Sequence, residues 1–340
     1  MKPAIGIVNS SSFGVSFPRH LARLKRVGTV RRIRTGPRAT GLGLARAVRG
    51  CRAVVASVQP YYDAAFFRAA PDLVVLARHG IGVNNVDVEA ATRCGVIVTK
   101  VPGAIEREAM AEEAIALMLA IARKIVPAHR AVAAGRWAAR PAFVGRELGG
   151  RTIGLIGFGN IGSRVGEMLV RGFGARVLAR DPAVSGARMR RVGVRPASLA
   201  AVLAQSDMIS IHASLNPTSR GLIGAAALLK MKPGTLLVNT ARGEILDERA
   251  VVTALRSGRL GGLAADVVAD EPATARHPFL KCPNAILVPH IGAYTVESLG
   301  AMGDKMCADL EDVFVRRRRP AELVNPAVWR SPALRLRTCR

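Results

Sequence analysis

Six histidines lie along the 340-residue chain: His20, His79, His129, His212, His277 and His290. A histidine that exchanges protons near neutral pH has to emerge at the rim of a site, so its place in its element decides its use. His290 closes the apolar run 286–289 and is followed by Ile291-Gly292. That puts it at the C-terminal edge of a strand beside a flexible link, and makes it the first candidate for a general acid/base. His79 and His212 also end strand-like runs and come second. His20 and His129 fall in helical patterns and read as surface residues, and His277 reads as a loop residue. A carboxylate on the second ring nitrogen would fix the tautomer and favour the protonated form. Asp266, Asp270 and Glu271 are all open for that task. Arg242, in Asn239-Thr240-Ala241-Arg242-Gly243, follows the run 235–239 closely. An arginine at such an edge is suited to holding a carboxylate by two parallel hydrogen bonds.

A second constellation is Gly157-Phe158-Gly159-Asn160-Ile161-Gly162. It follows the strand-like run 152–156 and opens a helix, and the next strand begins at Arg176 with Asp181 at its end, just past Arg180. In this context Gly157 permits the tight turn, Gly159 lets backbone approach a pyrophosphate, and Gly162 lets helix and strand pack closely. The helix N-terminus favours the phosphate charge. Asp181 is placed to accept the ribose hydroxyls, which favours NAD over NADP because a carboxylate repels a 2′-phosphate. Arg180 and Arg188 flank it and act in the opposite sense.

Strands and helices must alternate to bring these residues together. Strand-like runs are expected at 4–9, 31–34, 53–57, 73–77 and 96–101, with helical patterns at 18–27 and 86–93 between them. A mostly helical stretch covers 105–134, in which Pro127 should kink the helix or start another. A second series of strands is expected at 153–157, 176–180, 208–212, 235–239, 263–267 and 286–289, then a helix from 295 to about 315. Apolar strands alternating with helices imply parallel sheets covered on both faces. The fold class is therefore α/β, with two Rossmann- or flavodoxin-like lobes and an active-site cleft between them. About 150 residues precede the glycine motif, so the first lobe is a separate unit suited to holding substrate. The expected division is 1–103 plus 292–340 for a discontinuous substrate domain, to which the C-terminal helix returns, and 104–291 for the dinucleotide domain. The tail after Pro326 is basic and unpatterned, and is expected to be mobile.

Composition narrows the function classes. The formal net charge is +26, from 50 Lys+Arg against 24 Asp+Glu. It divides as +12, +11 and +3 over residues 1–103, 104–290 and 291–340, so neither lobe holds the excess. Aromatic residues make up only 4%, which leaves little to stack bases on, and the one dense basic run, Arg316 to Arg319, is short. A solvated basic surface that draws small acidic metabolites is the expectation, and nucleic acid is not. The N-terminus starts directly on a strand-like run without a signal-peptide layout, and the apolar helical run 114–122 is too short to span a bilayer. Five cysteines, Cys51, Cys94, Cys282, Cys307 and Cys339, form no CxxC pair. They suit a reducing cytoplasm and predict neither a disulfide framework nor a metal site.

Five blocks in order carry a family resemblance. They are Arg78-His79-Gly80-Ile81-Gly82-Val83-Asn84-Asn85-Val86-Asp87, the glycine motif from Gly157, Asn239 to Gly243, Asp266 through Glu271-Pro272, and Pro289-His290-Ile291-Gly292. Together they resemble the D-isomer-specific 2-hydroxyacid dehydrogenases, within the phosphoglycerate-dehydrogenase-like branch. The resemblance implies that Arg242 binds substrate, that Glu271 partners the histidine, and that His290 is the acid/base. It implies that Asp266 lies near the nicotinamide carboxamide, and that Gly80, Ile81 and Gly82 hold the substrate carboxylate through backbone. Asn160, Ile161, His212, Thr240 and Ala241 join the expected cofactor set. Arg78 would meet a substrate phosphate or brace the loop from beneath. Asn84 and Lys100 depart from the pattern of many relatives, which leaves the substrate open between glyoxylate/hydroxypyruvate and 3-phosphoglycerate types. The resemblance further implies a homodimer through 105–134, and with the sequence ending at residue 340 a C-terminal regulatory domain is not expected. An NAD-responsive regulator or corepressor on the same fold, with nucleic-acid contacts through Arg316–Arg319, is the alternative.

Overall fold

The structure, a computed structural model, describes residues 2–338. Met1, Cys339 and Arg340, which belong to the expected spans and the cysteine set, lie outside the described residues. Residues up to Glu106, together with those from Tyr294 onward, form one compact unit, and Arg107–Ala293 form another. The chain passes between the units a few residues beyond the expected positions.

The first unit holds five parallel strands: β1 Ala4–Val8, β2 Thr29–Ile33, β3 Cys51–Ala56, β4 Val75–Arg78 and β5 Ile97–Lys100. Their order is β2-β1-β3-β4-β5, so the strand order reverses between β1 and β3. Strands β3, β4 and β5 are buried along nearly their whole length, as strands covered on both faces must be. One face packs Val8, Val54, Ala56, Leu76 and Val98 with Leu44, Phe66, Phe67 and Ala91. The helix Val296–Phe314 belongs to this unit, where it packs beside Pro18–Val27 and against β4.

The second unit holds seven parallel strands: β6 Thr152–Ile156, β7 Arg176–Arg180, β8 Arg195–Pro196, β9 Met208–Ile211, β10 Thr235–Asn239, β11 Leu260–Ala265 and β12 Ala285–Leu287. Their order is β12-β11-β10-β9-β6-β7-β8, which reverses between β6 and β9. Ligands of such sheets bind outside the carboxyl ends of the strands at that reversal. Strand β11 starts before the expected residue because Leu260 pairs with Thr235 across two glycines that have no side chains to signal a strand. The expected 105–134 stretch is two helices, Arg107–Ala122 and Ile125–Ala133. The break falls at Lys124, whose backbone is left-handed at φ +52°. Pro127 sits in the first turn of the second helix, where its missing N–H costs nothing.

Two expectations are corrected. The tail after Pro326 is not loose: Pro326–Arg330 and Arg335–Thr338 form short 3-10 turns, and Val328, Leu334 and Leu336 are buried. Arg335 donates to the carbonyls of Phe67, Ala70 and Leu73, so a residue counted as tail charge ties up three backbone acceptors of the first unit. His20 is not on the surface either. It is 1% exposed and lies with Leu24 and Val27 on the inner face of its helix. Its ring stands 5.7 Å from Phe13, with Asp304 Oδ1 3.3 Å from Nε2.

His79 follows β4 and is buried edge-on against Phe13, with ring centroids 5.3 Å apart. Burial, reinforced by Arg78 and His20, pushes its pKa down to about 3. The folded chain therefore refuses a proton that the unfolded chain accepts below the ordinary value of 6.5. Stability from this group is complete above that value and falls by about 1.4 kcal/mol per pH unit on the way down to the folded value. Urea midpoints measured at pH 7, 6 and 5 should fall, and His79→Gln should flatten the decline; an unchanged slope in the variant would remove His79 as its source.

Candidate functional site

His290 stands just beyond β12 in the second unit, with a left-handed backbone at φ +54°. Its N–H donates to the carbonyls of Asp266, at 2.9 Å, and Val288, at 3.1 Å. The Asp266 carboxylate completes the turn: Oδ1 accepts from Ile291 N–H at 2.6 Å and Oδ2 from Gly292 N–H at 2.9 Å. Asp266 is buried, and desolvation raises its pKa against the lowering effect of those two bonds and of His290. Glu113, half-buried on Arg107–Ala122, is raised in turn, by burial first and then by the Asp266 charge. Asp266 therefore shapes the turn that presents His290, a task that its type and spacing alone did not reveal.

Of the three acids open to the sequence, Glu271 is the one on the ring, with Oε2 2.8 Å from His290 Nδ1. A carboxylate only accepts, so Nδ1 carries the hydrogen and Nε2 is left to exchange a proton with a ligand. Both side chains keep partial exposure, 28% for His290 and 22% for Glu271. Asp270 is exposed.

Arg242 follows β10 and is half-buried, with one guanidinium nitrogen donating to the carbonyl of Ala241 at 2.6 Å. The loop is shaped by Asn239, a residue to which the sequence assigned no separate task. Its side chain accepts from Ala241 N–H at 3.0 Å and donates to the Arg242 carbonyl at 2.9 Å. An asparagine that ends a strand and bonds two residues ahead is the recognisable signal of such a turn. Gly243 is required next: a Cβ there would lie 1.9 Å from the carbonyl carbon of Val268.

The glycine loop lies at the β6 side of the sheet reversal and His212 at the β9 side. Gly157 has φ +95°, and a Cβ on it would meet the Ala213 nitrogen at 2.5 Å. Gly162 packs against the Gly157 carbonyl. Nothing lies within 4 Å of a Cβ built on Gly159, and Gly159, Asn160 and the uncapped start of Asn160–Phe173 are exposed. Ile161 is half-buried behind them. Asp181 directly follows β7, with Oδ2 on Phe158 N–H at 2.7 Å and Oδ1 on Ala183 N–H at 2.8 Å, which leaves each oxygen further lone pairs. The Thr240 hydroxyl is buried without a partner among the described residues. His212 Nε2 shares a hydrogen with Ser210 Oγ at 2.9 Å, and burial lowers its pKa to about 4, so the ring is neutral at physiological pH. An empty volume at Gly159, free helix N–H groups and an unspent hydroxyl fit a dinucleotide.

The loop after β4 belongs to the first unit. Arg78 is 3% exposed and turned beneath it, with its guanidinium on the His79 carbonyl and the Asn85 side chain. Gly80 leaves room for that guanidinium, since a Cβ would lie 2.4 Å from it. Of the two tasks open to Arg78, its burial supports bracing the loop. Ile81 and Gly82 are half-exposed, and among the described residues their N–H groups have no acceptor.

Asp181→Asn keeps an acceptor for Phe158 N–H while removing the charge. Titration by cofactor fluorescence should show the preference for NADH over NADPH reduced about tenfold, the scale of one charged hydrogen bond; an unaltered ratio would take Asp181 out of cofactor recognition.

The pattern of the family described as "D-isomer specific 2-hydroxyacid dehydrogenase, NAD binding domain" matches residues 115–292. The chain is 40% identical over 267 residues to a D-3-phosphoglycerate dehydrogenase of Archaeoglobus fulgidus, covering 78% of this chain and 50% of that one. It is 36% identical over 284 residues to a glyoxylate reductase of Korarchaeum cryptofilum, covering 83% and 85%. The chain thus spans about half the length of the phosphoglycerate dehydrogenases it matches. Among solved structures, the D-lactate dehydrogenase of Escherichia coli superposes with a TM-score of 0.81 at 27% identity, covering 94% of this chain and 99% of that one. The chain belongs to the D-isomer-specific 2-hydroxyacid dehydrogenase family, and its second unit is the NAD-binding domain of that family.

Proposed function

We propose that the chain moves a hydride between NAD(H) and C2 of a small D-2-hydroxy acid or its 2-oxo counterpart. The observation that carries this reading is the 2.8 Å pairing of His290 Nδ1 with Glu271, set on the turn that Asp266 holds. NADH, when bound at the glycine loop, supplies the hydride. In the reducing direction His290 gives its Nε2 proton to the carbonyl oxygen as negative charge grows there, and Glu271 stabilises the charged ring. Arg242 holds the substrate carboxylate by paired hydrogen bonds. Oxidation runs in reverse, with neutral His290 as base.

The burial of Arg78 supports an unphosphorylated substrate of the glyoxylate or hydroxypyruvate kind, because it removes the cation considered for a phosphate. No observation favours the regulator reading. Within the basic run Arg316 and Arg318 are paired with Asp312, and Arg316 also with Glu311. No helix among the described residues is long and apolar enough to cross a membrane. Cys51, Cys94, Cys282 and Cys307 are free thiols, which supports a cytoplasmic setting.

His290→Ala should lower kcat by about 10²–10⁴-fold on 2-oxo acids with NADH. NADH should still bind, and phosphorylated substrates should be turned over less well than unphosphorylated ones. Wild-type kcat in that variant would displace His290 from the mechanism.

We further propose that the chain pairs with a second copy through the segment after Arg107–Ala122. Ile125, Val132, Trp137 and Val144 are 52–76% exposed there, large apolar side chains that a second copy would cover. Sedimentation should give about twice the 35.9 kDa chain mass, and Trp137→Asp should halve it; a wild-type monomer would reject the pairing.

A further inference from the structure

Beyond the residues that touch substrate or cofactor, one carboxylate is built into the support of the Glu271 segment. Glu248 opens the helix Glu248–Arg256, but it does not cap that helix. Asp247 does so, accepting from the N–H groups of Arg249 and Ala250, each at 3.1 Å. The Glu248 side chain instead reaches across to the segment after β11. Its Oε1 accepts from Ala269 N–H at 2.8 Å, and its Oε2 stands 3.4 Å from His277 Nε2. His277 Nδ1 accepts from Phe279 N–H at 3.3 Å, so its hydrogen sits on Nε2, facing Glu248. The His277 side chain is 10% exposed and that of Glu248 22%, so the pair is partly withdrawn from water.

One carboxylate therefore grips the segment at Ala269 and again at His277, and Glu271 lies between. Ala269 is also where the segment passes over Gly243, the neighbour of Arg242, with no room for a Cβ. The same short stretch of backbone thus spaces the substrate arginine from the partner of His290. A surface glutamate that merely offset the helix dipole would need neither contact.

We infer that Glu248 is a positioning residue: it sets the place of Glu271 and, through it, the orientation of the His290 ring. This rests on the proposed function only for its kinetic consequence. The test uses the full-length, NADH-bound protein. The His290 Nδ1–H, held by Glu271, should give a low-field proton resonance, assigned by its loss in His290→Ala. Glu248→Ala should broaden or abolish that resonance and lower kcat about tenfold, as a slight misplacement of a catalytic group does. KM for NADH should stay within about twofold, because the glycine loop is untouched. Glu248→Gln keeps an acceptor for Ala269 N–H but turns an amide N–H toward His277 Nε2–H, so it should restore the resonance and kcat in part. An unchanged resonance in Glu248→Ala overturns the inference, as does a Gln variant as damaged as the Ala variant. If wild-type protein reduces no 2-oxo acid while the resonance still follows Glu248, the proposed function falls and the positioning role stands.

Discussion

The candidate site depends on a buried carboxylate that is used entirely on backbone. Asp266 spends one oxygen on Ile291 N–H and the other on Gly292 N–H, and its own carbonyl accepts from His290 N–H. Burying a charge in this way is costly unless its lone pairs are satisfied. Here the partners are the amides of the turn that has to be formed. Those bonds hold His290 in a left-handed conformation, which is uncommon outside glycine but which histidine tolerates better than most side chains. With the backbone fixed, the ring meets Glu271, and the second nitrogen is left to exchange a proton.

The dinucleotide loop shows the same economy. Gly157 and Gly162 are glycine because backbone passes where a Cβ would stand, whereas Gly159 faces open volume. Asp181 couples the two ends of the motif by accepting from Phe158 N–H, so the group expected to read the ribose also holds the phosphate loop in register. Both features sit at the reversal of strand order, where two loops leave the sheet in opposite directions and create space for a ligand.

Much of this was legible in the chain. The glycine motif, the strand-ending His290, Arg242 and the alternation of strands and helices all follow from residue type and period. The errors were of one kind. His20 reads as a surface residue from its helical setting, although Leu24 and Val27 at helical spacing mark its face as the buried one. The tail was read as mobile because it lacks a period, although single apolar residues and the forked donors of Arg335 suffice to dock it. Short irregular segments are held by individual contacts, and individual contacts leave no periodic trace.

The amino-acid sequence by itself therefore determined the fold class, the dinucleotide loop and the short list of groups able to do chemistry. These properties are local: they depend on backbone freedom, side-chain type and spacing within a few residues. Only the tertiary structure decided which of Asp266, Asp270 and Glu271 meets the histidine. The same is true of Arg78, which lies under its loop, and of Glu248, which reaches across to the active-site segment. These outcomes depend on residues brought together from distant positions, and a hydrogen bond is made or lost within a fraction of an ångström. Such precision is reached only when the packed sheet has placed both partners.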